Sequence, residues 1–265
     1  MNKSMLFIVE GQRPDEIFLN KLLESYGFID QFNTFIVGTN IYQLYHKMKR
    51  EHFELDIKEA IKEIPDTIGD KSLLDQDYTY TYLIYDCDPH DIYCEKQREE
   101  KIDIQSFVMD NLGRLAEMAN HFNNETDPTI GRLYINFPMI ESYRDCEEFF
   151  DERYCNKQIA TDQLRIYKQI VGETRIGKLD IKTYSKKSFN DLIRMNVYKL
   201  NSILSGRWEK PSYEEYLEES EQSALIEKQR DSVTLWNTIS VLNTSLFFPL
   251  DYYGNKNSFY DITVK

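Results

Sequence analysis

Along the first half of the chain, apolar residues fall into short dense runs separated by longer stretches of helical spacing. The run "SMLFIVEG" reads as a first strand that ends on an acid and a glycine. The next segment, "PDEIFLNKLLESYG", has Pro14 at a first helical position, acids in its first turn, apolar residues at Ile17, Phe18, Leu22 and Tyr26, and Gly27 as a stop. "NTFIVG" predicts a second strand, and "NIYQLYHKMKREHFELDIKEAIKEI" one or two amphipathic helices. "YTYTYLIYD" is the third strand. The helical spacing of Phe107, Val108, Leu112, Leu115, Met118 and Ala119 follows, and then "IGRLYINFP", a fourth strand that must stop at Pro138. This β-α-β-α-β-α-β order predicts an α/β fold with a mostly parallel sheet flanked by helices.

Beyond about residue 145 the pattern changes. "SFNDLIRMNVYKLNSIL" and "SALIEKQRDSVTLWNTISVLNTSLFF" read as long helices, the second with no Gly or Pro to interrupt it. "KLDIKTYSKKS" reads as one further strand. The expected organisation is a catalytic core over residues 1–145 and a mainly helical C-terminal lobe over 146–265 that adds at most that strand to the sheet.

Composition narrows the class. No run approaches the roughly 18 apolar residues of a membrane span, and the N-terminal apolar run leads into an acidic turn, not a cleavage site, so a cytoplasmic protein is expected. Cys87, Cys94, Cys146 and Cys155 are irregularly spaced, which predicts free thiols and no structural zinc. The net charge of −13 opposes non-specific binding to nucleic acid, so any such contact must be local.

The chemistry gathers at strand ends. "YTYLIYDCDPHD" ends an apolar strand on Asp86, Asp88 and Asp91, and "FIVEG" ends the first strand on Glu10. Ligand sites in open parallel sheets lie beyond the carboxyl ends of the strands, so these acids meet if the first and third strands are neighbours. Asp86 and Asp88, two apart in an extended chain, point the same way. Converging carboxylates repel unless a hard cation such as Mg²⁺ is bound between them. His90, behind the acidic turn, reads either as a general base or ligand or as a solvated loop histidine. Tyr78, Tyr80 and Tyr82 alternate as packing residues.

"FIVEGQRPDEIFLNKLL" followed by "YLIYDCD" resembles the Toprim domain shared by topoisomerases, primases and nucleases of the OLD and RloB kind. The resemblance implies a Toprim-like sheet in which Glu10, Asp86 and Asp88 hold Mg²⁺ or Mn²⁺ for phosphodiester hydrolysis. "INFPMIESY" adds Asn136, Pro138 and Glu141 as the nearest match to an Asn-Pro-plus-acid segment, with Glu141 in a catalytic role. A second acid near the start of the first helix falls on Asp15 or Glu16. A late basic residue falls on Lys186 or Lys187, Lys187 as catalytic and Lys186, with His90, as substrate-binding. The resemblance further implies an endonuclease effector of anti-phage defence, acting by abortive infection, with RNA, tRNA or DNA as substrate. An ABC-type ATPase partner would hold it inactive, and self-association through the C-terminal helix is compatible with its apolar residues.

Rival readings share some residues. Haloacid-dehalogenase phosphatases place Asp-x-Asp on the first strand, receiver domains need paired acids there, and metal-dependent glycosyltransferases use Asp-x-Asp but do not require Glu10. A non-catalytic adaptor on the same scaffold would leave the acids structural.

Overall fold

The computed structural model describes residues 4–11, 14–87, 103–127 and 129–265. Strand β1 (Met5–Val9) is wholly buried, as a central parallel strand covered on both faces must be. Helix α1 (Pro14–Ser25) follows, then β2 (Phe32–Ile36), α2 (Ile41–Arg50), α3 (Ile57–Lys62), β3 (Tyr80–Asp86), α4 (Ile104–His121), β4 (Asn123–Asn124) and β5 (Gly131–Asn136). The sheet order is β2-β1-β3-β5-β4; the first four strands are parallel, and the two-residue β4 adds an antiparallel edge. The connection after β1 runs to one side and β3 lies on the other, so the crevice between β1 and β3 is the topological switch point. Right-handed crossovers put α1 on one face of the sheet and α2 and α4 on the other.

The predicted helical stretch over residues 40–64 resolves into α2 and α3, parted by a turn with positive φ at His52 and Phe53. Within α1, Phe18, Leu19, Leu22 and Leu23 are buried, while Ile17, expected on the inner side, is exposed and Asp15 is buried in its place.

The second half packs on the sheet. Its elements are β6 (Gln158–Ala160), α5 (Tyr167–Glu173), α6 (Lys186–Ser205), α7 (Tyr213–Glu219), α8 (Gln222–Trp236), β7 (Thr238–Ser240), α9 (Phe248–Tyr253) and α10 (Phe259–Thr263). Phe248 meets Phe7 of β1 and Tyr82 of β3 edge-on at 5.0 and 4.9 Å, and Tyr82 stacks on Phe7 at 5.1 Å, so the C-terminal helices cover one sheet face. Asp251 of α9 accepts hydrogen bonds from the hydroxyls of Tyr134 and Tyr216, both at 2.7 Å, and pairs with Arg132 at 3.1 Å.

Two expectations for this half are corrected. The long uninterrupted helix predicted from residue 223 ends at Trp236: Asn237 adopts the left-handed conformation, with φ 54°, and the β-branched pair Thr238–Ile239 leaves as β7, antiparallel to β6. "KLDIKTYSKKS" is not a strand. Asp180 caps a 3₁₀ turn at Ile181–Thr183, and Ser185 with Ser188 forms the capping box that starts α6. No helix among the described residues is long and apolar enough to cross a membrane. The described cysteines, Cys87, Cys146 and Cys155, are thiols; Cys94 lies outside the described residues.

Candidate active site

β1 and β3 are hydrogen-bonded neighbours in the register Val9↔Ile84, which sets Glu10 beside the end of β3. The Glu10 N–H donates to the Ile84 carbonyl at 3.3 Å, and Oε2 of Glu10 accepts the Asp86 N–H at 3.3 Å. Of the acids predicted from the strand ends, Glu10 and Asp86 therefore sit side by side at the switch point, the Glu10 carboxylate on the Asp86 backbone N–H.

Asp15 joins them from α1. Pro14 pre-sets the first helical residue, and Asp15 in that first turn faces the positive helix end. Its Oδ2 accepts the Gly11 N–H at 2.7 Å, closing the turn after β1. A Cβ at Gly11 would come within 3.1 Å of that oxygen, so the turn is built around the absence of a side chain. Of the two acids left open by the sequence, Asp15 is buried and belongs to the turn; Glu16 is half-buried.

Glu141 arrives after β5 in a 3₁₀ turn, Ile140–Arg144. Tyr143 of that turn stacks at a tilt on Phe18 of α1, centroids 4.5 Å apart, which fixes the turn against the helix that carries Asp15. Glu141 is buried, and its Oε2 has no hydrogen-bond partner. Its Oε1 pairs at 3.4 Å with Nζ of Lys168, an exposed residue of the first turn of α5.

The charges here are mutually dependent. Burial raises the pKa of the Asp15 carboxyl; the Gly11 N–H opposes this, and the neighbouring Glu141 raises it further. Burial would lower the Lys168 pKa, but Glu141, Asp86 and Asp15 outweigh it and hold the ammonium above its ordinary value. Lys168 thus feels three carboxylates from three different elements.

Other predicted residues have other places. Asn136, the last residue of β5, is buried, and its Oδ1 accepts from the Ser245 N–H at 3.2 Å and hydroxyl at 2.9 Å, tying the sheet to the C-terminal segment. Pro138 sits in the turn that follows. Lys186 lies over the Tyr26 ring at 5.1 Å, and Tyr26 follows the last residue of α1, a helix about 18 Å long that starts at the carboxylates. Lys187, next to it, is exposed in the first turn of α6. The lysine that stands beside the carboxylates is Lys168, which the sequence reading did not single out. Asp88 and His90 lie outside the described residues.

Among the described residues no group of three or more His, Cys, Asp or Glu side chains is gathered closely enough to hold a metal ion. The donors at the edge are all carboxylate oxygens, and one of them, Oε2 of Glu141, is buried with its hydrogen-bonding capacity unused. That donor chemistry suits a hard divalent cation such as Mg²⁺ or Mn²⁺.

No family model matches the chain, and no curated protein and no solved structure matches it either.

Proposed function

We propose that this chain is a metal-dependent, Toprim-like endonuclease that hydrolyses phosphodiester bonds in RNA, tRNA or DNA. The observation that carries the reading is the meeting of Glu10 with Asp86 at the switch point, with Asp15, Glu141 and Lys168 around them. Mg²⁺ or Mn²⁺ held by Glu10 and Asp86 would supply positive charge beside the phosphate oxygens. The chain's own groups do the rest. The β1–β3 ladder sets the Glu10 and Asp86 backbones side by side, and the Asp86 N–H holds the Glu10 carboxylate. Lys168, exposed yet held by buried Glu141, is the cation that orients an incoming phosphate. Asp15, whose burial favours its neutral form, is the group suited to hold or release a proton beside that phosphate.

On the same reading the chain is an anti-phage effector, toxic when active and held silent by an ABC-type ATPase partner. Expression in cells tests this, comparing wild type with Glu10→Ala and Asp86→Ala and analysing recovered tRNA and genomic DNA on gels. The expected result is toxicity with cleaved nucleic acid that both substitutions abolish. Folded wild-type protein that cuts neither, alone or released from the co-expressed ATPase, would overturn the proposal.

A further inference from the structure

A second cleft, of about 500 Å³, gathers chemistry that the carboxylate site does not use. Its volume is in the range of ligand-binding clefts. It lies between α6, α8 and the β6–β7 pair, and Lys199, Lys228, Asp231, Leu235 and Trp236 line it. Lys199 is only 2% exposed. Its Nζ donates to the backbone carbonyls of Cys155 at 2.6 Å and Lys157 at 3.0 Å. An ammonium carries three donors, so one remains, and among the described residues no carboxylate pairs with it. A buried cation without a counter-ion is costly, and burial pushes the Lys199 pKa down to about 8. Lys228 on α8 is exposed and makes no ion pair among the described residues. Asp231 is the one acid among the described lining residues, so in a chain of net charge −13 this cleft is locally cationic.

Beside these cations the end of α8 leaves an aromatic in water: Trp236 is 71% exposed and Leu235 68%. The place is tied to the catalytic edge of the sheet. Gln105, at the start of α4 and therefore at the carboxyl ends of the strands, donates from Nε2 to the Val233 carbonyl at 2.8 Å, anchoring the end of α8 there. Gln158 of β6 lines the cleft, and the chain runs from β6 through one 3₁₀ turn into α5, which carries Lys168.

We propose that this cleft is an accessory groove for single-stranded nucleic acid, in which a base stacks on Trp236 while Lys199 and Lys228 face its phosphate. The proposal rests on the nuclease reading and names the form of its substrate. Cation plus exposed ring is the combination that binds unpaired strands regardless of sequence, and a duplex, with its bases stacked inward, cannot use the ring.

The test is fluorescence anisotropy at low salt with a fluorescein-labelled 20-nucleotide single strand and its duplex, using full-length wild type, Trp236→Ala, Lys228→Glu and Glu10→Gln. Trp236 and Lys228 are surface residues, so thermal melts that match wild type keep the comparison clean; Lys199→Met is added where it folds. The wild type is expected to bind the single strand better than the duplex. Trp236→Ala should weaken single-strand binding about tenfold and Lys228→Glu about fivefold in a salt-dependent way. Equal affinity of Trp236→Ala and wild type, equal binding of strand and duplex, or no binding by wild type overturns the groove. If Trp236→Ala and Lys228→Glu bind like wild type while Glu10→Gln alone loses cleavage, the groove falls and the nuclease stands. If the single strand binds through Trp236 and is never cut, the groove stands and the nuclease reading falls.

Discussion

The ammonium of Lys168 lies 3.4 Å from Oε1 of Glu141, an exposed cation held by a buried acid. The pair is half in water, so its contribution to stability is small, of order 0–1 kcal/mol. If Lys168 serves substrate phosphate, Lys168→Ala should lower cleavage by about a hundredfold and leave the melting temperature nearly unchanged, while Lys168→Arg should recover part of the loss. Single-turnover cleavage and thermal denaturation of the same preparations check this. Equal losses in both measurements would make Lys168 a structural residue.

The turn between β1 and α1 predicts a contrasting pair. Gly11→Ala presses a methyl on the Asp15 carboxylate at 3.1 Å and should cost about 1 kcal/mol and part of the activity. Asp15→Asn keeps the acceptor for the Gly11 N–H but removes the ionisation. Because burial raises the Asp15 pKa in the folded state, the stability it contributes is present below the ordinary carboxylate range and is lost as pH rises through the raised value. Relative to Asp15→Asn, the wild type should therefore lose stability from pH 4 toward neutrality, as urea titrations of both at several pH values would show.

At the opposite edge of the fold, Asp251→Ala is expected to be among the most destabilising single changes. It leaves Arg132 without the carboxylate of its 3.1 Å ion pair and two buried hydroxyls, those of Tyr134 and Tyr216, without their acceptor. A loss of about 3–5 kcal/mol in denaturant unfolding follows from breaking a buried charge network on one side.

Alkaline pH should unfold the protein. Burial holds the hydroxyls of Tyr82, Tyr85, Tyr134, Tyr154, Tyr167 and Tyr216 well above the usual tyrosine range. Their contribution is intact below the unfolded value, near 10, and is lost above it at roughly 1.4 kcal/mol per pH unit for each tyrosine. Lys199 has the opposite sign: burial pushes its pKa down to about 8, so its contribution is present above its ordinary value and lost as pH falls through about 8. Wild type should thus gain on Lys199→Met between pH 7.5 and 10, and both should unfold above that, as followed by circular dichroism.

The strands of the sheet were legible because buried parallel strands are near-continuous apolar runs, and the placement of Glu10 and Asp86 followed once β1 and β3 were adjacent. Asp15 was legible only as one of two acids, because Pro14 fixes where α1 starts but not which side of its first turn is buried. Lys168 had one available signal: a cation in the first turn of a helix opposes the helix dipole and needs a reason to be there. That reason, Glu141, lies 27 positions earlier in sequence, and its turn is tied to the helix of Lys168 by the Tyr167 hydroxyl, which donates to Asp145 at 3.0 Å. The break in the last long helix was hidden because Asn237, not Gly or Pro, takes the left-handed residue, and β7 exists only through its pairing with β6. β4 is two residues long and carries no pattern of its own.

The most direct test is cleavage by the purified chain, with Mg²⁺ and with Mn²⁺, of end-labelled single-stranded RNA, tRNA and DNA by wild type, Glu10→Gln and Asp86→Asn. Glu10→Gln retains an oxygen to accept the Asp86 N–H, so the β1–β3 edge should keep its shape and its melting temperature. The expected result is metal-dependent cleavage by wild type and a loss of about a hundredfold or more in each variant. Cleavage retained within about twofold in both folded variants would contradict the assignment of Glu10 and Asp86 as the catalytic pair.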